Sequence, residues 1–284
     1  MFSVICVYNS KQILAEYLLK SLQQQDAEYE LIQIDNTQGQ FDSAAKALNW
    51  GAKGAKGRYL MFVHQDVQLS SVSWLRDAEQ MMNEIPDLGA AGAVGAGSDR
   101  AARRKVVGNV RYGFPAADIP GLLPIGKPEK VQTLDECLLI VPDSVFHRIQ
   151  FDETVCDHWH LYGVDYCLSI ADLGFNAYVL PLPTYHMSLG IYNSNICRLI
   201  LGMGLFAPEY YRALGRMLNK HKDRVARVYA TTGKWETRRP LLFQRLMATV
   251  DAAVDMIVDG WLRHRLYGFV TKLRIRHTDR NLHP

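Results

Sequence analysis

The sequence predicts an α/β protein in which helices flank a mostly parallel central sheet, with a helical extension towards the carboxyl terminus. Short apolar runs alternate with amphipathic segments of helical length, which is the pattern of βαβ units. Polar residues suited to binding follow several of these runs, where strands should end. After His186 the strand pattern stops and the chain becomes basic. We therefore predict a sheet domain at residues 1–190 and a basic helical extension at residues 191–284.

The composition is that of a folded protein without membrane spans. With 284 residues and 48% hydrophobic content, the chain can bury a full core. It contains no uncharged apolar stretch of about 18 residues, and it opens on a strand-like run without a signal-peptide pattern. Its five cysteines are scattered and form no CxxC pair, so we expect reduced thiols. These features predict a cytoplasmic location.

The first half of the chain is predicted to form alternating strands and helices. Either Asp42 or Ser43 suits the N-cap of the second helix. Residues 95–130 are rich in Gly, Pro and Arg and too long for a simple connection, which predicts a mobile functional loop or lid. The predicted strands are residues 2–8, 31–34, 59–63 and 88–94, and the predicted helices are residues 12–24, 42–53 and 74–84.

The second half continues the pattern as far as the last predicted strand. Residues 137–141 are predicted to be a strand, with a short helix opening at Pro142-Asp143 and a turn at residues 151–153. Residues 161–173 are predicted to be a helix, and residues 177–180 the last strand.

The triplet His64-Gln65-Asp66 directly follows the apolar run at residues 59–63. Because strand side chains alternate between faces, His64 and Asp66 are expected to point the same way, beyond the end of the strand. Such a pair suits a divalent cation. A polar turn after a strand is the alternative interpretation.

Asn9 and the pair Asp35-Asn36 also follow predicted strands, as the triplet does. If these strands are parallel, their carboxyl ends meet at one crevice, where open α/β sheets bind ligands. A nucleotide would fit such a site. Since the chain has neither GxGxxG after its first strand nor GxxxxGK[ST], the phosphates of a nucleotide would need a metal ion.

These motifs, taken in order, resemble the family 2 glycosyltransferases with the GT-A nucleotide-sugar-binding fold, over about residues 2–190. The triplet His64-Gln65-Asp66 stands where these enzymes carry their DXD motif. The segments that carry the resemblance are Ser3 to Asn9 (SVICVYN), Asp35-Asn36-Thr37, Ala45 to Gly51 (AKALNWG), Ala55 to Tyr59, Phe62 to Val67, Leu134 to Val141, Phe151 to Glu153, Tyr162 to Leu168, Gly174-Phe175 and Pro183 to His186.

The resemblance implies an inverting transferase that moves a sugar from a nucleoside-diphosphate donor to a glycan or lipid-linked acceptor, with Mn²⁺ or Mg²⁺ on the diphosphate. It implies Asp66 as a metal ligand. His64 replaces the first acidic residue of DXD, and either coordinates, which favours Mn²⁺, or only orients Asp66. His186 matches a ligand position of some members, or is a capped surface histidine. The implied donor-nucleotide contacts are Tyr8, Asn9, Asp35, Asn36, Asn49 and Gln65.

The family usually places its catalytic base in a Glu-Asp doublet at a helix start, which aligns here with Tyr162-Gly163. Glycine therefore occupies the base position. Asp165, in the first helical turn, is predicted to take the proton of the acceptor hydroxyl, with Asp135 and Glu136 as alternatives. The negative charge of Asp165 would also interact favourably with the helix dipole. By the resemblance, Asp135 and Glu136 are further expected to hold the donor sugar or the acceptor.

Two groups near these positions are candidates for substrate contacts. Trp159 could form a stacking platform for the acceptor sugar with His160 beside it, although a buried core Trp is the commoner role. The basic run at residues 103–105 could grip the diphosphate, or consist of solvated loop charges.

The charge of the chain is uneven, with 15 Lys and Arg against 22 Asp and Glu in residues 1–186, and 17 against 7 in residues 187–284. Residues 243–258 have apolar residues at helical spacing, and residues 261–276 mix Trp, Leu, Tyr and Phe with Lys and Arg. They predict either contact with an anionic membrane surface or a packing or homo-oligomer contact, with nucleic acid less favoured. The first would place the protein at the inner face of the cell membrane, in assembly of a surface glycan.

A rival hypothesis is a non-catalytic protein of the same fold that binds nucleotide sugars or glycans. The glycine at residue 163 and the histidine at residue 64 favour this hypothesis, because both depart from the catalytic pattern of the family.

Overall fold

The computed structural model describes residues 1–119, 121–187 and 206–247. The chain divides into two compact units. The first comprises Met1–Asn193 and Phe206–Arg239, and the second comprises Ser194–Leu205 and Pro240–Pro284. In the second unit, residues 241–247 are helical. Among the described residues, no helix is both long enough and apolar enough to cross a membrane.

A seven-stranded sheet forms the centre of the first unit. Its strands are β1 (Phe2–Tyr8), β2 (Tyr29–Asp35), β3 (Tyr59–Val63), β5 (Leu88–Gly92), β11 (Glu129–Val131), β13 (Leu138–Pro142) and β14 (Asn176–Val179). They lie in the order β11-β14-β5-β13-β3-β1-β2. Only β13 and β11 run antiparallel to their neighbours in this sheet. The predicted α/β class with a mostly parallel sheet is confirmed.

Helices cover both faces of this sheet. Alternation along β1 sends Val4 and Cys6 into one apolar cluster and Ile5 into the other, because successive strand residues face opposite sides. The helices are α1 (Lys11–Leu14), which continues through a π-helical turn (Ala15–Leu19) into α2 (Lys20–Leu22), then α3 (Ala44–Ala52), α4 (Trp74–Asn83), α5 (Asp143–Phe146), α6 (Tyr162–Ala171) and α7 (Pro208–His221).

Local sequence signals account for several element boundaries. Every residue of β3 is buried, as its unbroken apolar run predicts. Ser43 caps α3 by accepting a hydrogen bond from the Lys46 N–H, so of the two predicted caps it is the one used. Gly57 lies against β1, since a Cβ there would come within 2.3 Å of the Ser3 nitrogen.

Residues 95–130 do not form the single irregular loop that their composition predicts. This region contains short strands that pair with each other and with neighbouring segments, which satisfies their backbone groups. The predicted strand at residues 88–94 accordingly splits, with Val94 opening a strand of a second sheet. The strands of two small sheets are β4 (Val67–Leu69), β6 (Val94–Ser98), β7 (Arg104–Gly108), β8 (Val110–Tyr112), β9 (Ala117–Asp118), β10 (Leu122–Leu123), β12 (Thr133–Leu134) and β15 (Thr184–His186). One of these sheets has the order β10-β7-β6-β12, and the other has the order β4-β15-β8-β9.

The chain after His186 is not all helical, and strands continue beyond the one predicted to be last. An antiparallel hairpin of β16 (Arg227–Ala230) and β17 (Gly233–Glu236) follows α7. The Thr133 hydroxyl donates to the Tyr229 carbonyl at 2.6 Å, so the hairpin packs beside β12. Residues 206–239 therefore group with the sheet, whereas the predicted boundary falls at residue 190. The second predicted amphipathic segment, 261–276, and residues 248–258 of the first lie outside the described residues.

Candidate active site

A cavity of about 380 Å³ lies at the carboxyl ends of β1, β2 and β3. This is the edge at which open α/β sheets bind ligands, as the three strand ends predicted. Ala44 and Leu48 of α3 add an apolar wall. The predicted site residues that line the cavity are Tyr8, Asn9, Asn36, His64, Gln65, Asp66 and Trp159.

His64, Asp66 and His186 form a cluster beside this cavity. Each offers one ligand atom, and the three atoms lie within 4.8 Å of one another. Strand pairing explains why these three side chains lie together. Strand β15 pairs antiparallel with β4, which places His186 opposite Val67, the residue after Asp66. The Nε2 atom of His186 lies 3.2 Å from Oδ1 of Asp66.

The electrostatics of this cluster suit a cation. Burial, with the charge of His186, lowers the pKa of His64 to about 4, so its imidazole is neutral near pH 7 and can offer a lone pair. Burial opposes ionisation of Asp66, but the adjacent His186 and His64 bring the pKa of that carboxyl below its ordinary value. The other ring nitrogen of His186, Nδ1, is buried without a hydrogen-bond partner among the described residues. Two imidazoles and one carboxylate form a donor set that fits a divalent transition metal.

Gln65 and Asn9 bind each other at the cavity edge. Gln65 Oε1 accepts from the backbone N–H groups of Asn9 and Ser10, each at 3.0 Å. Its Nε2 donates to Asn9 Oδ1 at 2.6 Å. Both residues line the cavity, and their mutual bonds join the end of β1 to the end of β3.

Asp35 reaches the cavity only through Tyr8, and it does not itself line the wall. The Tyr8 hydroxyl donates to Asp35 Oδ2 at 2.9 Å, and Thr37 donates to Oδ1 from its backbone and its hydroxyl. These bonds, led by that of the Thr37 hydroxyl, lower the pKa of Asp35. Lys11 lies 3.8 Å from the same carboxylate.

The other two predicted asparagines, Asn36 and Asn49, bind backbone groups. Asn36 holds the following turn by donating to the Phe41 carbonyl and accepting from its N–H, and it still borders the cavity. Asn49 does not line the cavity. Its amide donates to the Phe151 carbonyl and to Glu153, and accepts from the Phe151 N–H. Asn49 therefore ties α3 to the turn at residues 151–153.

Asp165, the predicted base, is buried and its carboxylate is fully engaged. Lys220 donates to Oδ2 at 2.7 Å, and Nε2 of His221 lies 2.9 Å from Oδ1. Only 1% of the Asp165 surface is exposed, and the residue does not line the cavity. Burial alone would lower the pKa of Lys220, but the charges of Asp165 and then Asp152 raise it. This arrangement gives Asp165 a place in a buried ion network rather than at the cavity.

Asp135 and Glu136 differ in their hydrogen bonding. Asp135 accepts from the Cys137 N–H at 3.1 Å and from the Thr231 hydroxyl at 2.7 Å. Glu136 Oε1 is buried without a partner in the described part of the chain. Burial, and then the charge of Asp135, raise the pKa of Glu136 to about 8.

The aromatic residues before α6 contribute one side chain to the cavity wall. Trp159 lines it, whereas His160 packs against Tyr210, with ring centroids 5.8 Å apart, and stacks on His158. Burial, with the charge of His158, lowers the pKa of His160.

The side chains of basic residues 103–105 form ion pairs and hydrogen bonds away from the cavity. Arg103 pairs with Asp99, and Lys105 pairs with Glu129. Arg104 donates to the carbonyls of Ala230 and Thr231, which fixes the tip of the β16–β17 hairpin.

Sequence reasoning missed the residues after His186 that approach the site. Thr231, Lys220 and His221 all bind predicted acidic site residues. A signal for the hairpin exists, since the short runs at residues 227–230 and 233–236 flank Thr231-Thr232 and place Val228 and Trp235 in the core. The four described cysteines are free and buried, and Cys197 lies outside the described residues.

Solved structures share this fold. The mannosyltransferase PcManGT from Pyrobaculum calidifontis, in complex with GDP-Man and Mn²⁺, has a TM-score of 0.52 at 14% identity, over 79% of this chain and 64% of that one. GalNAc-T7, with UDP, GalNAc and Mn²⁺, has a TM-score of 0.50 at 12% identity, over 66% and 44%. The chain thus spans less than two thirds of either protein. At these identities the likeness is one of fold.

Similarity in sequence identifies the family of this chain. A curated relative from Fuscovulum blasticum, described as ATP synthase subunits region ORF 6, is 28% identical over 176 residues, 60% of this chain and 67% of that protein. The profile of the glycosyltransferase-like family matches residues 3–188, which contain the cavity and the cluster of His64, Asp66 and His186. With its sheet topology and the match over most of its length, the chain belongs to the glycosyltransferase-like family.

Proposed function

We propose that this protein is an inverting, metal-dependent glycosyltransferase that moves a sugar from a nucleoside-diphosphate donor to a glycan or lipid-linked acceptor. The observation that carries the proposal is the meeting of His64, Asp66 and His186 at the wall of the strand-end cavity. The family to which the chain belongs supports sugar transfer as the class of reaction.

The cavity suits the nucleotide part of such a donor. Its volume lies within the range of about 300–1,000 Å³ that is common for small-molecule sites. Tyr8 and Trp159 offer aromatic faces, and Asn36 and Gln65 offer polar groups on the same walls. Asp35 would act on the nucleotide through Tyr8, whose hydroxyl it holds.

The three clustered residues would hold the cation. A divalent ion bound there would neutralise charge on the diphosphate. Because His64 and His186 supply nitrogen in place of oxygen, we expect the site to prefer Mn²⁺ to Mg²⁺, which favours all-oxygen ligands. The neutral state of His64 supports a ligand role.

Binding experiments test this proposal. UDP and GDP are added separately to the full chain with and without Mn²⁺, and heat of binding and Tm are measured. We expect one nucleoside diphosphate to raise the Tm only when Mn²⁺ is present, because a ligand specific to the folded state stabilises it. Asp66→Asn should abolish the Mn²⁺ dependence. Asp118→Asn, a change at an exposed carboxylate, is the control.

Two results would contradict the proposal. One is Mn²⁺ dependence that survives Asp66→Asn, and the other is a lack of nucleoside-diphosphate binding under every condition.

A second candidate function is a binding protein without turnover. It is favoured by Gly163 at the usual base position and by Asp165, whose carboxylate is occupied. Incubation with UDP- and GDP-sugars and Mn²⁺ separates the two candidates. A transferase releases nucleoside diphosphate slowly to water and faster with an acceptor, whereas a binding protein retains the intact donor.

The location and partners are further parts of the proposal. The excess of basic residues after residue 186 supports a cytoplasmic protein that associates with an anionic membrane surface, where a lipid-linked acceptor would be available. A homo-oligomer contact is the alternative role for the same residues. Sedimentation of the full chain with vesicles of anionic or neutral lipid distinguishes these roles.

A further inference from the structure

The side chain of Glu136 fills the space in front of Gly163 at the start of α6. A Cβ built on Gly163 would lie 3.2 Å from Glu136 Cγ and 3.7 Å from Glu136 Oε1. The Glu136 carboxylate thus lies where a longer side chain from residue 163 would begin. Tyr162, the residue before this glycine, lines the cavity and donates its hydroxyl proton to the Glu136 carbonyl at 3.2 Å. The connection between β12 and β13 therefore carries a carboxylate to the place where the helix has none.

Hydrogen bonding separates Glu136 from the other two carboxylates considered for the base. Both oxygens of Asp135 and both oxygens of Asp165 accept bonds from named groups. Glu136 Oε1 has no partner in the described ranges, although the atom is buried. A buried polar atom without a partner is uncommon in folded proteins, and a catalytic role is one explanation for it.

We propose that Glu136 is the catalytic base of the transfer, in the role that residue 163 cannot fill. This inference rests on the proposed function. In the step, the acceptor hydroxyl gives its proton to the Glu136 carboxylate while the acceptor oxygen forms a bond to the anomeric carbon of the donor. The bond between that carbon and the diphosphate oxygen breaks, and its electron pair leaves with the nucleoside diphosphate.

The surroundings of Glu136 support this role. Burial and the charge of Asp135 raise its pKa to about 8, and the backbone N–H groups of Val164 and Gly163 oppose the shift in part. A base is most effective when its pKa lies near the working pH. Burial, with the nearby charge of Glu136 among other causes, also raises the pKa of Tyr210.

The segment after residue 205 contributes hydroxyl groups that bind on this side of the sheet. Thr231 donates to Asp135, and Thr232 shares a hydrogen bond of 2.6 Å with Tyr210.

The main test uses Glu136→Gln, which keeps the shape of the side chain and removes its basicity. Release of nucleoside diphosphate is measured with Mn²⁺, UDP- and GDP-sugars, and simple aryl glycosides as acceptors. We expect transfer to fall by about 10² to 10⁴, the range for loss of a general base. Mn²⁺-dependent binding of the nucleoside diphosphate should stay within about twofold of the unmodified chain, since Glu136 does not line the nucleotide cavity. The control is Glu28→Gln, a change at an exposed glutamate.

Two further variants test the position of the carboxylate. Formate added to Glu136→Ala should restore part of the rate. The double variant Glu136→Ala with Gly163→Asp returns a carboxylate to the helix start, where removal of Glu136 Cγ leaves room for it. We expect it to transfer at least about tenfold faster than Glu136→Ala alone.

The outcomes separate this inference from the proposed function. Transfer by Glu136→Gln within about threefold of the unmodified chain would overturn the base assignment alone. Loss of both binding and transfer, with no rescue by formate, would also overturn it and give Glu136 a structural role. If the unmodified chain binds no nucleoside diphosphate with Mn²⁺, the proposed function fails and the base assignment fails with it.

Discussion

The proposed metal side of the site, formed by His64, Asp66 and His186, and the proposed carboxylate side, around Glu136, are assembled differently from the chain. On the metal side, His64 and Asp66 stand two residues apart, and one pair of adjacent strands brings His186 to them. On the carboxylate side, Glu136, Gly163 and Thr231 come from a strand connection, a helix start and a hairpin tip. A short motif and a single strand pair therefore form the first side, whereas the packing of three separate segments forms the second. Changes on the two sides should differ in their consequences.

The largest effect on stability is expected from Asp165→Ala. This change leaves the Lys220 ammonium and the buried His221 ring without the carboxylate that both contact, which should lower the free energy of unfolding by about 3 kcal/mol. Chemical denaturation measures the change. Asp157→Ala, which removes a half-exposed partner of Arg216, should cost less than about 1 kcal/mol. An Asp165→Ala variant of normal stability but without transfer would instead restore Asp165 as the base.

A pH-dependent effect on stability is expected from Glu136→Gln. The folded pKa of Glu136, about 8, lies above its ordinary value, so the native state holds a proton there that the unfolded chain has lost. Stability from this group is present at low pH and is lost as the pH rises from about 4.5 to about 8. Relative to the unmodified chain, Glu136→Gln should gain on the order of 2 kcal/mol between pH 5 and pH 8.

Denaturation across this pH range checks the prediction. A difference between the two proteins that stays constant with pH would show that Glu136 is ionised in the folded state at low pH.

A smaller effect on the metal side is expected from His64→Asp. The change replaces a nitrogen ligand with a carboxylate and makes the donor set richer in oxygen. The ratio of Mn²⁺ to Mg²⁺ affinity should fall by about tenfold, since Mg²⁺ favours oxygen ligands. Competition calorimetry with the two ions measures the ratio. An unchanged ratio would mean that His64 orients Asp66 without binding the ion.

The smallest effect is expected from Thr231→Val, which removes the hydroxyl that donates to Asp135. Loss of this bond should weaken binding of the complete nucleotide sugar by about 1 kcal/mol and leave affinity for the nucleoside diphosphate unchanged. Thr232→Val, whose hydroxyl partner is Tyr210, provides the comparison. Equal weakening of both ligands would place Thr231 on the nucleotide side.

The part of the fold that the sequence predicted depends on local patterns. The bounds of β1 and β3 match their apolar runs, and Ser43 caps α3 as its position before an alanine-rich segment suggested. The strand ends then placed Tyr8, Asn9 and the triplet at residues 64–66 around one cavity. Each of these features follows from residues close together in the chain.

The features that the sequence did not predict depend on partners far along the chain. The glycine-rich β6 is stable because its residues pair with β7 and β12, and a Cβ on Gly95 would come within 2.7 Å of the Thr133 carbonyl. Asp165 was expected at the acceptor because its helix position suited a base. Its engagement with Lys220 and His221 follows from the packing of α7, which no spacing within α6 encodes.

The ion network of Asp165 has a practical consequence for making this protein. A fragment that stops near residue 190 keeps His64, Asp66 and His186 but discards Lys220 and His221, the two partners of a buried aspartate. Such a truncation should accumulate as insoluble material in expression trials, even though its motifs are complete. Fragments for crystallisation should retain the chain at least as far as Arg239.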